Sequence, residues 1–193
     1  MSKEIAKAGD AVENSITRAL NHAERVFAAG KYHVECHDKD GKLKWELETP
    51  NLVVNVGAQY MCGTALTSTT QITTWYLGLY GAASTNNPAA GDTMASHAGW
   101  TEVVPYSEAT RPACSFAAAT LANPSVATNS ASKATFTINA TATVGGAFLV
   151  SNNTKSGTTG TLFSAADFGA PGDRAVVSGD VLSVTYTFSL TAA

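Results

Sequence analysis

Charge is what this 193-residue chain has least of: 12 Lys and Arg against 15 Asp and Glu leave 14% charged residues and a net charge of −3. Neutralising phosphates takes a basic stripe, so composition speaks against nucleic acid as a partner. Cysteine is scarce too. Cys36, Cys62 and Cys114 lie far apart and form no C-x-x-C pair, which argues against a zinc knuckle or a disulfide framework and for buried thiols. No apolar run is long enough to cross a bilayer, and the opening MSKEIAKAGD carries charge without an apolar h-region. The expectation is a protein made in a cytosol without export or membrane insertion, on which the sequons at Asn139 and Asn152 go unused. Also missing are a G-x-S-x-G elbow, a G-x-x-x-x-G-K-[ST] phosphate loop and a clean internal repeat.

What is present falls into two unequal parts. Lys, Arg and Glu concentrate before Pro50, while Ala, Thr, Ser, Gly and Asn dominate afterwards. From Lys3 to Ala29 there is no proline, and Val12, Ile16, Leu20, Ala23 and Phe27 recur at three- and four-residue steps while Glu13, Arg18, Asn21 and Arg25 fall elsewhere. This pattern predicts an amphipathic helix ending at Gly30. An isolated helix of that length gains little stability alone, so it must dock on a partner surface. The predicted organisation is a helical anchor or oligomerisation segment over 1–30 and a β domain over 31–193.

The period then changes from helical to two. Tyr32, Val34 and Cys36 alternate with His33, Glu35 and His37, and Leu43, Trp45 and Leu47 alternate with Lys44 and Glu46. With DKDGK between them, these runs predict a β-hairpin. TPNLVVNVGAQYMCGTALT predicts a short helix with Val53, Val56, Tyr60 and Met61 on one face, and ITTWYLGLY a buried strand. SKATFTIN reads as another strand, and ATVGGAFLVS as one more whose Gly pair marks a bulge. In GDVLSVTYTFSL, Leu182, Val184, Tyr186, Phe188 and Leu190 alternate with hydroxyl-bearing residues. Short strands punctuated by Gly, Asn, Pro and Ser predict a mainly β fold, an antiparallel β-sandwich of jelly-roll or immunoglobulin-like type behind an amino-terminal amphipathic helix.

Three stretches carry residue types that could do chemistry. Gly91–Ala113 holds Asp92, Ser96 and His97, the parts of a hydrolase, but sequence neighbours seldom converge as a triad. A structural account uses the same letters: Asp92 or Thr93 caps a turn, Gly99 ends it, Met94 and Trp100 pack, and Asp92, Glu102 and Arg111 fix the loop or contact a neighbouring subunit. His33, Glu35 and His37 share a strand face and could start a zinc site, but no fourth ligand is recognisable and a solvated polar row is the simpler reading, so no metal is expected. NNTKSGTTG reads as a mobile hairpin tip, not a phosphate loop. No cofactor is implied.

Five phrases, GKYHVECHDKDGKLKWELETPNLVVNVGAQYM, TWYLGLY, AGDTMASHAGWTEVVPYSEATRPA, ATVGGAFLVSNNTKSGTTGTLFSAADF and VVSGDVLSVTYTFSL, together resemble, in this order, a family encoded among the structural genes of tailed bacteriophages. The likeness covers nearly everything after Gly30, and its most specific part is DTMASHAGWTE. It implies a virion structural protein of tail-fibre or decoration type and supplies no catalytic residues. The expectation is a non-enzymatic, multi-copy virion component, made in the bacterial host cytoplasm, that binds other virion proteins and copies of itself. Its assembly contacts would be Val12, Ile16, Leu20, Phe27, Asp92, Trp100, Glu102 and Arg111. A module that binds a host-surface receptor or glycan is the alternative. It would expose aromatics, so burial of Trp75, Trp100 and Tyr106 separates the two readings.

Overall fold

A strand that alternates apolar and hydroxyl-bearing side chains can cover a core with one face and meet water with the other. The computed structural model describes residues 25–82, 87–169 and 172–192, and the first and last strands among them use this device. In chain order come β1 (Val26–His37), β2 (Leu43–Pro50), β3 (Leu52–Val53), helix α1 (Asn55–Leu66), β4 (Trp75–Ala82), β5 (Trp100–Val103) and β6 (Ala113–Cys114). There follow β7 (Ser125–Thr128), β8 (Ala134–Thr137), β9 (Ala142–Val144), β10 (Gly146–Val150), β11 (Leu162–Asp167), β12 (Arg174–Val176) and β13 (Val181–Ala192). Among the described residues the fold is mainly β with antiparallel sheets and one short helix, consistent with a β-sandwich.

The first sheet has the order β2-β1-β13-β7, with β8 also on β13. Its spine is the full-length pairing of the first strand with the last, from Val26 opposite Ala192 to His37 opposite Val181. β13 is long enough to hold β8 along its first residues and β7 further on. The second sheet runs β3-β11-β10-β4-β5, with β6 also on β4, and β12 pairs with β9 separately. The predicted β1–β2 hairpin forms: Asp38 Oδ1 accepts the N–H groups of Asp40 and Lys42, and Gly41 supplies a φ of 79°. Helix α1 forms within the expected stretch, but Val53, expected on its face, lies on β3 instead. Its Gly57 abuts the Phe163 carbonyl, where any Cβ would collide.

Between the sheets, Tyr32, Val34 and Cys36 of β1 and Leu182, Val184 and Tyr186 of β13 are fully buried in one cluster with Leu77, Leu79, Ala147 and Leu149. The hydroxyls of Tyr32, Ser164 and Tyr186 there are partnered, whereas among the described residues that of Tyr106 in the same cluster has no partner. Ser164 Oγ lies 2.8 Å from the Tyr32 hydroxyl and 3.3 Å from that of Tyr186, which also accepts Asn51 Nδ2 at 2.8 Å. A second cluster, with Tyr80, Phe148, Val150, Leu162, Met94 and Trp100, covers the other face of the second sheet. That sheet is therefore buried on both sides, which explains the unbroken burial of Gly146–Val150.

Two expectations change. The helix predicted over Lys3–Ala29 cannot include its last four residues, because Val26–Ala29 open β1 and place Phe27 on a strand, 52% exposed. The twelve-residue β13 supplies ladder partners out to Val26, and this tertiary pairing overrides a helical period that happened to continue through Phe27. Val12, Ile16 and Leu20 lie outside the described residues, and the β domain begins before the boundary set at 30. The stretch ATVGGAFLVS is likewise two strands in different sheets, β9 and β10, separated at Gly145.

Burial has a titratable consequence. It pushes the thiol of Cys36 up to about 11 and that of Cys114 up to about 12, and it raises the Tyr32 and Tyr186 hydroxyls well above their usual range. An acid with a raised folded-state pKa stabilises the fold fully below its unfolded pKa and loses that contribution as pH climbs toward the folded value. Urea midpoints should hold level up to about pH 9, near the ordinary thiol pKa, and fall through pH 11. A midpoint unchanged at pH 11 would contradict this. In the native protein a thiol reagent should label Cys62, the exposed cysteine, and spare the two buried ones.

Candidate functional site

The stretch from Gly91 to Ala113 closes over the outer face of the second sheet, and each charged or aromatic residue in it has a structural partner. Thr93 and Ser96 bridge in a tight turn, with the Ser96 N–H also reaching Thr93 Oγ1 at 3.0 Å. Gly99, at φ 107°, turns the chain into β5. Trp100 is 3% exposed and rests on Tyr80 and Phe148, each 5.1 Å away between ring centroids, with Met94 buried beside it. Its indole N–H donates to Asp92 Oδ2 at 3.0 Å, and the same oxygen accepts the Ala89 N–H. The His97 ring stacks on Trp100 at 3.8 Å and its Nδ1 meets the Trp100 carbonyl at 3.0 Å, which requires the proton on Nδ1. Among the described residues no hydrogen bond links Asp92 to His97 or His97 to Ser96, so the relay a serine nucleophile needs is not assembled.

Glu102 and Arg111 do the fastening. Arg111, 1% exposed, grips Glu102 with both arms of its fork: Nε to Oε1 at 2.8 Å and Nη2 to Oε2 at 2.7 Å. Its remaining donors reach the carbonyls of Asn152 at 2.9 Å and Gly157 at 3.1 Å, and its plane covers the Phe148 ring at 5.2 Å. Glu102 Oε2 accepts the Ser156 N–H at 2.6 Å. The tip NNTKSGTTG, expected to be mobile, is instead clamped by these bonds, and its Lys155 lies over the Tyr106 ring at 3.7 Å while donating to the Tyr106 carbonyl. With the Ser156 N–H spent on a carboxylate, the tip offers no phosphate cradle there. Asp92, Trp100, Glu102 and Arg111 thus meet in one covering layer, whereas Phe27 sits on β1.

On the exposed face of the β1–β2 hairpin, the ligand atoms of His33, Glu35 and Glu46 all lie within 4.8 Å of one another. The sequence grouping with His37 is not the one formed: the regular register sets Glu46 opposite Glu35, and the shift between Cys36 and His37 puts His37 opposite Leu43, out of step with that row. Two carboxylates and an imidazole could engage a divalent transition ion. Lys133 already answers the Glu35 carboxylate at 2.8 Å and, through that hydrogen bond, lowers its pKa.

A site missed at the level of sequence lies at the open end of the two sheets. Between α1 and the outer part of β13 is a cleft of about 450 Å³, walled by Tyr60, Ile72, Trp75, Phe116, Phe188 and Leu190. Trp75 meets Tyr60 at 5.3 Å and Phe163 at 5.4 Å, and Phe163 meets Phe188 at 5.4 Å. Of the aromatics chosen to separate structure from recognition, Trp100 and Tyr106 are buried and Trp75, on this wall, is half-buried. Alternation alone sends Phe188 and Leu190 into the core. The signal available was length: β13 has twelve residues, the longest strand of the second sheet eight, so its end overhangs. No protein-family model, curated protein or solved structure matches the chain.

Proposed function

We propose that this protein is a non-enzymatic structural component of a bacteriophage virion, present in many copies in the tail, its fibres or the head decoration. Its place is the virion, and its partners are other virion proteins and copies of itself, joined through the amino-terminal segment and the surfaces of the β domain. The observation that carries this reading is the β1–β13 ribbon. It runs past the end of β2, whose last partner on β1 is Lys31, and ends in apolar side chains open to solvent, Val26 at 70% and Phe27 at 52% exposure. Exposed apolar side chains on both faces of this ribbon end, Val26 on one and Phe27 on the other, suit a contact between proteins. The buried Arg111–Glu102 clamp and the two-sided core give the stiffness that a repeated subunit needs.

The test removes residues 1–24 and leaves β1 whole, since cutting to Ala29 would strip rungs from the first sheet. The shortened protein should keep its β circular-dichroism spectrum and melting transition yet be missing from purified particles when it replaces the full chain. Unimpaired incorporation, or a full-length protein that never co-purifies with particles, would overturn the proposal. The half-exposed Trp75 beside Tyr60 favours a second reading, a module that binds a host receptor or glycan. It predicts binding to host cells that Trp75→Ala abolishes.

A further inference from the structure

We propose that the cleft between α1 and the β1–β13 ribbon receives the amino-terminal segment of a neighbouring copy, with Ile16 and Leu20 as its anchors. The inference rests on the multi-copy reading and names the contact that would build the multimer. The chemistry of the two surfaces matches. None of the residues lining the cleft is charged, its walls are aromatic and aliphatic, and Thr64, Gln71 and Thr73 supply its polar groups. Val12, Ile16, Leu20 and Ala23 offer apolar side chains at three- and four-residue spacing, while Glu13, Arg18 and Asn21 fall outside that stripe. An apolar stripe entering a hydrophobic groove is a recurrent mode of peptide recognition.

The position of the chain's entry says which copy provides the segment. β1 stays paired with β13 out to Val26 opposite Ala192, beyond the Ala28–Leu190 rung at the cleft. Residues 1–24 therefore join the domain on the far side of the cleft mouth. To fill its own cleft the chain would have to reverse between Leu20 and Val26 at the ribbon's end, and of the residues that favour turns, Gly, Pro, Asn, Asp and Ser, that stretch holds only Asn21. Donation to the next copy needs no reversal. Such a contact is head-to-tail, with segment and cleft on different surfaces, and it repeats into a ring or a fibre.

Mixing two blocked variants tests it. Ile16→Glu disables the segment and leaves the cleft; Leu190→Glu, at a position 39% exposed, disables the cleft and leaves the segment. By size-exclusion chromatography with light scattering, the full chain should self-associate, each variant alone should be monomeric, and an equimolar mixture should form a heterodimer through its one intact junction. Ile72→Glu, outside any strand, should behave as Leu190→Glu does and guards against local misfolding at β13. A synthetic peptide of residues 8–25 should bind the 1–24 deletion protein and shift its tryptophan fluorescence through Trp75, and Leu190→Glu should weaken that binding at least ~10-fold. If Leu190→Glu assembles normally while Ile16→Glu does not, the segments bundle with one another and the proposal falls. A monomeric full chain whose melting temperature Ile16→Glu lowers would show docking within one chain, and a monomer indifferent to both changes would show no docking; either overturns it. Because purified protein suffices, this outcome is independent of whether the protein is found in particles.

Discussion

Replacing Arg111 by Ala should lower stability by about 3–5 kcal/mol, the range for breaking a buried ion pair by removing one partner. The side chain of Glu102 is 6% exposed, and without the guanidinium its carboxylate would stay buried with the Ser156 N–H as its remaining hydrogen bond. The carbonyls of Asn152 and Gly157 would lose their donor at the same time, and Phe148 the plane that covers it. The pair Glu102→Gln with Arg111→Met removes both charges together. It should cost clearly less than Arg111→Ala, because no lone charge is left in the interior. Urea denaturation gives the free energies, and trypsin gives a local readout: cleavage after Lys155 should be fast in Arg111→Ala and slow in the wild type. A loss under about 1 kcal/mol, the range of a surface pair, would mean that the clamp is solvated.

The clamp also marks where sequence reasoning stops. Period-two alternation places the β1–β2 hairpin and β13 because those strands each have one polar and one apolar face, β4 is placed by its density of aromatic and β-branched residues, and α1 by a change of period. Alternation is silent about β10, whose five residues are all buried, since a strand covered on both sides has no polar face to alternate. The helical period misleads at Val26–Ala29, where the partner that decides between helix and strand is Ser189–Ala192, over 150 residues away. The same distance hides the site. Glu102 and Arg111 are close in sequence, but the carbonyls that complete the fork's partners lie at Asn152 and Gly157 on another hairpin. The cleft is formed by what is missing, a second sheet as long as β13, and no local pattern records it.

Gly146→Ala and Gly78→Ala should each destabilise the fold by more than the ~1–3 kcal/mol usual for overpacking. Across β4 and β10, Gly78 pairs with Phe148 and Tyr80 with Gly146, so each aromatic ring lies over the glycine of the neighbouring strand. A Cβ on Gly78 would enter the Phe148 ring; one on Gly146 would meet both the Tyr80 ring and the carbonyl of Ala166. Phe148 has no room to retreat, since Trp100 flanks it at 5.1 Å and Arg111 covers it at 5.2 Å. At Gly146 the second obstacle is backbone, which gives way less easily than a side chain. The two sites therefore respond differently to relief. Phe148→Leu should recover part of the loss in Gly78→Ala, giving a double-mutant coupling of about 0.5–3 kcal/mol, whereas Tyr80→Leu should recover little in Gly146→Ala because the Ala166 carbonyl remains. Thermal or urea unfolding of the two cycles decides it: equal rescue at both glycines would show that the rings alone set the spacing of the strands, and no rescue at Gly78 would show that Phe148 is not what fills the space above it.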